Sequence, residues 1–134
     1  MLREIRFRAW DKKEKKMYPS VGVLPLGGVL YQSGEHAVGD VGAFAKEYKY
    51  LHTENIEKTQ YTGLKDKNGK EIYEGDIVKW DKFSDVENGF VEMKYGEWIS
   101  SKKGTSKYIP IWENRMFLEV IGNIYENQEL TKHE

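Results

Sequence analysis

Ile5, Phe7 and Ala9 alternate with Arg6, Arg8 and Trp10 near the start of the chain, the period-two pattern of a strand whose two faces meet different surroundings. The polar run Asp11–Lys16 interrupts this pattern before Met17, Tyr18, Val21 and Val23 resume it, which predicts a hairpin with a lysine-rich tip. Such a tip could reach for phosphate. A turn needs polar residues in any case, however, and lysines at a sheet edge discourage stray pairing, so a solvated turn is the simpler reading. From Val21 to Asp40 the chain is rich in glycine and is interrupted by proline. This predicts a mobile loop around a short strand at Val29–Tyr31, with glycine spacing that fits neither a dinucleotide nor a Walker-type phosphate loop.

Phe44, Tyr48 and Leu51 fall at helical spacing, with Lys46, Glu47 and Lys49 pointing elsewhere, and predict one short helix over residues 44–51. An extended segment around Ile56 follows. The stretch Gln60–Val78 then carries three turn signals: Thr62-Gly63, Asn68-Gly69 and Glu74-Gly75. Asn and Gly tolerate the positive φ angles of a type I′ turn, so Asn68-Gly69 predicts a tight hairpin. Gly75-Asp76 opens a β-branched strand, Ile77–Trp80, and the Asp76 carboxylate is placed to accept backbone N–H bonds and fix the turn. Gly63, Asn68, Gly69, Gly75 and Asp76 are therefore read as structural turn residues.

Further strands are expected over Gly89–Ser100 and Tyr108–Trp112, the latter broken by Pro110 and so suited to an edge or a bulge. Met116–Tyr125 is the most apolar stretch and reads as a central strand bent at Gly122-Asn123. Lys102–Lys107 reads as a mobile basic loop, and the polar residues 128–134 as a frayed tail. The expected architecture is mainly β (β-rich α+β). It consists of a strongly bent antiparallel sheet or small SH3-like barrel over about 56–127, with an N-terminal hairpin, loop and short helix over about 1–55. All of it forms one domain, 1–134.

Composition narrows function by exclusion. A net charge of −1 gives no overall field towards polyanions. The absence of cysteine removes disulfides, thiolate nucleophiles and sulfur-rich zinc sites. The N-terminus has no apolar signal core, and no run approaches the roughly 18 apolar residues of a spanning helix, so the expectation is a cytoplasmic protein with no membrane partner. His36, His52 and His133 share no ligand spacing, Glu71, Glu74, Asp76 and Asp81 alternate with lysines, and no serine sits in a nucleophile elbow. No catalytic residue, metal or cofactor is assigned.

What remains is a mixture of basic and aromatic residues. Arg6, Arg8, Lys79, Trp80, Lys94 and Trp98 are the candidate partner or nucleic-acid surface, since aromatics beside a basic groove bind single strands. Tyr and Trp are equally enriched in cores and subunit contacts. With the charge near zero, a protein partner or self-association is preferred, a homo-oligomer included, and nucleic acid is the alternative; an enzyme is weaker still.

Three blocks, REIRFRAWDKKEKKMY, QYTGLKDKNGKEIYEGDIVKW and EVIGNIYEN, resemble the YopX family. The resemblance covers both ends and the middle of the chain. It implies a small protein of phages and prophages, acting in the bacterial cytoplasm, and it carries no catalytic residues to transfer.

Overall fold

The computed structural model describes residues 4–40, 42–51, 53–80 and 88–131. The protein is mainly β, built from antiparallel strands with one short helix. It divides into two compact units, one of residues 6–58 and one formed by the N-terminal residues up to Ile5 together with 59–134.

The first unit contains β1 (Phe7–Asp11), β2 (Lys16–Val23), β3 (Val29–Val38) and β4 (Ala43–Leu51), in the order β4-β3-β2-β1. The N-terminal hairpin is present: Asp11 lies opposite Lys16, and Asp11 Oδ1 accepts the N–H groups of Lys13 and Glu14 at 2.9 and 3.0 Å. The lysine-rich tip is partly neutralised, because Lys12 Nζ lies 2.7 Å from Glu57 Oε1. Pairing shifts between Phe7 and Ala9, leaving Pro19 and Ser20 opposite Arg8 alone, and a bulge of this kind tolerates a proline that a regular ladder would not.

Two expectations fail in this unit. Residues 21–40 are not a loop around a short strand. A tight turn held by Leu24 N–H to Gly28 O (2.8 Å) leads directly into the ten-residue β3, and Gly34 is absorbed where the β3–β4 register shifts by one residue. Residues 44–51 are not a helix but the strand β4, paired with β3 from Val38↔Ala43 to Val29↔Leu51. Phe44, Tyr48 and Tyr50 all occupy even positions and share one face of that strand with Lys46, a pattern that competes with the helical spacing of Phe44, Tyr48 and Leu51. The cross-strand pairing decides between them.

The second unit begins within β5 (Ile56–Lys65), which pairs with β6 (Glu71–Tyr73). A five-stranded sheet follows, made of β7 (Asp76–Trp80), β8 (Asn88–Lys94), β9 (Glu97–Ser101), β10 (Tyr108–Pro110) and β11 (Leu118–Asn123), in the order β10-β9-β8-β7-β11. Its outer strands β10 and β11 do not pair with each other, so among the described residues there is no closed barrel. β11, expected at the centre, is therefore an edge, with a register shift between Val120 and Gly122. Its Leu118 and Val120 side chains pack in the core of this unit, while the turn at residues 66–70 bonds backbone groups that, among the described residues, no second strand reaches. The short helix is α1 (Ile111–Asn114), directly after Pro110.

The core of this unit joins Ile72, Val78, Trp80, Val91, Ile111, Leu118 and Val120, with Leu64, Trp98, Ile109 and Phe117 packed against it. Alternation places Val78, Trp80, Val91 and Trp98 on this face. Lys79, Phe90, Glu92 and Lys94 are on the other. Residues 128–131 form a single 3-10 turn, and Asn88 Nδ2 donates to Leu130 O at 3.1 Å.

Candidate interaction surfaces

The turn residues set how the strands of the second unit enter their sheet. Asp76 is buried, and its Oδ2 accepts the N–H of Tyr73 at 2.8 Å. Gly75 between them has φ +85°, donates to Val91 O at 2.8 Å and accepts from Ile124 N–H at 2.9 Å. The loop of residues 66–70 is not a type I′ turn. Among the described residues positive φ outside glycine occurs only at Lys15 and Tyr95, so Asn68 keeps a negative φ while Gly69 has φ +82°. Gly69 N–H donates to Asp66 O at 3.0 Å and Asp66 N–H to Lys70 O at 2.8 Å, the geometry of a three-residue loop with glycine in the left-handed position. Gly63 also has positive φ (+84°), with open space around it.

Sequence reasoning passed over Asp66, which organises this loop. It is 7% exposed, its Oδ1 accepts the N–H groups of Asn68 and Lys70, each at 2.9 Å, and its Oδ2 accepts Val120 N–H at 2.9 Å. An aspartate two residues before Asn-Gly was the available signal, since such a side chain bonds the backbone two residues on. Among the described residues, a type I′ hairpin lies elsewhere, at Tyr95-Gly96, where φ is +55° and +78° and Lys94 faces Glu97.

The basic and aromatic candidates do not form one surface. Arg6 and Arg8 are half-buried, belong to the first unit and already have interaction partners. Trp80 is 5% exposed and sits in the core, which removes it as a stacking platform, while the adjacent Lys79 points from the opposite face. Lys94 and Trp98 likewise lie on opposite faces of the β8–β9 ribbon. Neighbours in sequence alternate across a sheet, so the pairs Lys79-Trp80 and Lys94…Trp98 could not have stayed together on it.

Three other surfaces emerge. The first is an open groove of about 300 Å³ lined by Thr62, Leu64, Met93, Gly96, Glu97, Trp98 and Trp112. Met93 and Trp98 are cross-strand partners. α1 buries Ile111 in the core and leaves the next residue, Trp112, 60% exposed beside them. The Arg115 guanidinium stacks 4.1 Å from the Trp112 ring centroid and also donates to Trp112 O, giving this end of the groove a cation.

The second surface, on the opposite face of the sheet, is a smaller notch of about 130 Å³. Lys94, Lys102, Lys103, Lys107 and Tyr108 line it, with Phe90 and Glu92. Its loop is built: Lys102 N–H donates to Lys107 O (3.0 Å), while the Thr105 hydroxyl donates to Lys102 O (3.1 Å) and accepts from Lys107 N–H (3.2 Å). Tyr95 and Tyr108 meet beside it, with ring centroids 5.7 Å apart. The third surface is the outer edge of β4, with Phe44, Tyr48 and Tyr50 exposed.

His36 Nδ1 lies 2.9 Å from Glu47 Oε1 on the β3–β4 ribbon, while His52 and His133 lie outside the described residues, as does Asp81. Among the described residues no group of three His, Asp or Glu side chains could hold a metal ion. None of the described helices is long and apolar enough to cross a membrane.

Fold and surfaces together define a two-unit antiparallel β protein that presents exposed aromatic and basic surfaces. The chain matches the YopX protein family over residues 6–132 and belongs to it. Among solved structures it is similar to protein EF1440 from Enterococcus faecalis, with 28% identity, a TM-score of 0.67, and coverage of 96% of this chain and 99% of that one. It is also similar in fold to yopX from Bacillus subtilis, with 19% identity, a TM-score of 0.59, and coverage of 95% and 98%. No curated protein matches it.

Proposed function

We propose that this protein is a non-catalytic interaction module, encoded by a prophage and working in the bacterial cytoplasm, that captures a protein partner in the Trp98–Trp112 groove. The observation that carries the reading is the exposure of Trp112 next to Met93, Trp98 and Leu64. Large aromatics at a partly desolvated site dominate protein–protein binding energy. The volume suits one or two side chains. Arg115 at one end favours a partner segment in which an aliphatic or aromatic anchor is flanked by a carboxylate. The family resemblance supports the phage setting.

The test compares capture from host cells by the wild-type protein and by a Trp112→Ala/Met93→Ser variant whose near-ultraviolet circular dichroism is unchanged away from the lost indole. A protein retained by the wild type and lost with the variant supports the groove. Identical capture by both removes it.

A second reading rests on the lysine notch. Four lysines beside Tyr95 and Tyr108 offer a chemical footing for single-stranded nucleic acid, but the net charge of −1 leaves no long-range attraction to support it.

A further inference from the structure

β4 is the outer strand of its sheet: among the described residues, no strand pairs with the far side of its nine residues, AFAKEYKYL. Phe44, Tyr48 and Tyr50 are 67%, 58% and 74% exposed. Charged residues on such an edge usually blunt pairing. Here their order permits one particular partner.

The N–H and C=O groups of an edge strand point to the free side at every second residue. Two copies related by a two-fold axis therefore place one residue opposite itself, and the axis can be stepped along the strand. Centred on Lys46, the two Lys46 side chains face each other; centred on Glu47, two carboxylates do. Centred on Tyr48, no like charges meet. Tyr48 then faces Tyr48, Glu47 faces Lys49 twice, Lys46 faces Tyr50 twice, and Ala45 faces Leu51 twice. That register pairs the whole of Ala45–Leu51 with its copy, and of those overlapping seven or more residues it alone avoids a like-charge pair. Every opposed pair in it is favourable: tyrosine on tyrosine, carboxylate on ammonium, ammonium on a phenol ring and aliphatic on aliphatic. The register shift between β3 and β4 lies on the β3 side, so β4 alternates regularly through this segment. His36 engages Glu47 Oε1 and leaves the other carboxylate oxygen to a second copy.

We infer that β4 is a self-pairing edge: two copies of this chain join antiparallel through Ala45–Leu51 about Tyr48, extending the sheet across the dimer. This rests on the reading of the protein as an interaction module and names one of its partners as a second copy, at a surface separate from the groove.

The experiment is sedimentation equilibrium on the full chain over a wide concentration range, with two charge reversals, Glu47→Lys and Lys49→Glu. Each reversal alone sets like charges opposite each other at both outer pairs and is expected to weaken dimerisation roughly tenfold or more. An equimolar mixture of the two variants restores opposite charges across the axis and should dimerise again. Both sites are exposed, so near-ultraviolet circular dichroism should match the wild type. A wild-type dimer lost in each variant and recovered in the mixture supports the pairing. A dimer indifferent to both reversals overturns it and leaves the interaction reading standing. A protein monomeric at every concentration also overturns it, and the Trp112→Ala/Met93→Ser comparison then decides the module reading separately.

Discussion

Asp66 Oδ2 accepts the backbone N–H of Val120 at 2.9 Å, across 54 positions of sequence. The same carboxylate holds the Asn68 and Lys70 amides, and Lys67 N–H donates to Leu118 O at 3.0 Å. One loop thus supplies the free edge of β11 with hydrogen bonds a sixth strand would otherwise have to provide. The side chains of Leu118 and Val120 are buried by packing in the core; the loop keeps the backbone beside them hydrogen-bonded.

Removing this carboxylate leaves a buried amide without an acceptor, and bonds to a charged acceptor are the stronger kind. Asp66→Ala should cost about 2–4 kcal/mol in chemical denaturation, most of it from Val120. Asp66→Asn keeps one acceptor oxygen and should lose less. If Asp66→Ala unfolds at the wild-type denaturant midpoint, the latch contributes nothing.

The loop geometry makes Asn68 and Gly69 unequal. Asn68 has ordinary φ, so Asn68→Ala should stay within about 0.5 kcal/mol of the wild type. Gly69 has φ +82° and open space around it, so Gly69→Ala should cost about 1 kcal/mol from backbone strain alone. Equal losses at the two positions would restore the type I′ geometry.

Gly75 combines strain with contact. Its φ is +85°, and a Cβ there would sit 3.1 Å from the Tyr125 ring. Gly75→Ala should therefore be worse than Gly69→Ala, at about 1–3 kcal/mol, with thermal unfolding as the readout. A loss no greater than that of Gly69→Ala would mean that Tyr125 moves aside without penalty.

Nucleic-acid binding is tested by the anisotropy of a labelled single strand at low salt, where phosphate attraction is strongest. Only weak, non-saturating binding is expected. Saturable binding that falls with salt and is lost in a Lys102→Ala/Lys103→Ala/Lys107→Ala variant would move the function to the lysine notch.

Much of the fold was legible because strands with one buried face alternate. β8, where half-buried and buried residues alternate from Asn88 to Glu92, is an example, although the Tyr95-Gly96 turn that splits Gly89–Ser100 into two strands was not read. The β3–β4 ribbon was not, since β4 is exposed along most of its length on both faces. No burial contrast marks its period, and Phe44, Tyr48 and Leu51 fit a helix equally well. The turn at Asn68-Gly69 was located correctly but given the wrong type, because Asn-Gly is compatible with two loop geometries and Asp66 decides between them. The site was least legible. Composition pointed to aromatic and basic residues, but alternation sends Lys79 and Trp80 to opposite faces. The groove instead depends on Trp112, whose exposure follows from a four-residue helix that the sequence does not announce.

The most direct test places a photoreactive benzoyl-phenylalanine at Trp112 and, separately, at Lys79, and irradiates living host cells. An interaction module of the proposed kind gives a discrete, protease-sensitive adduct from position 112 and none of that size from position 79. Nuclease-sensitive adducts, or the same products from both positions, would contradict it.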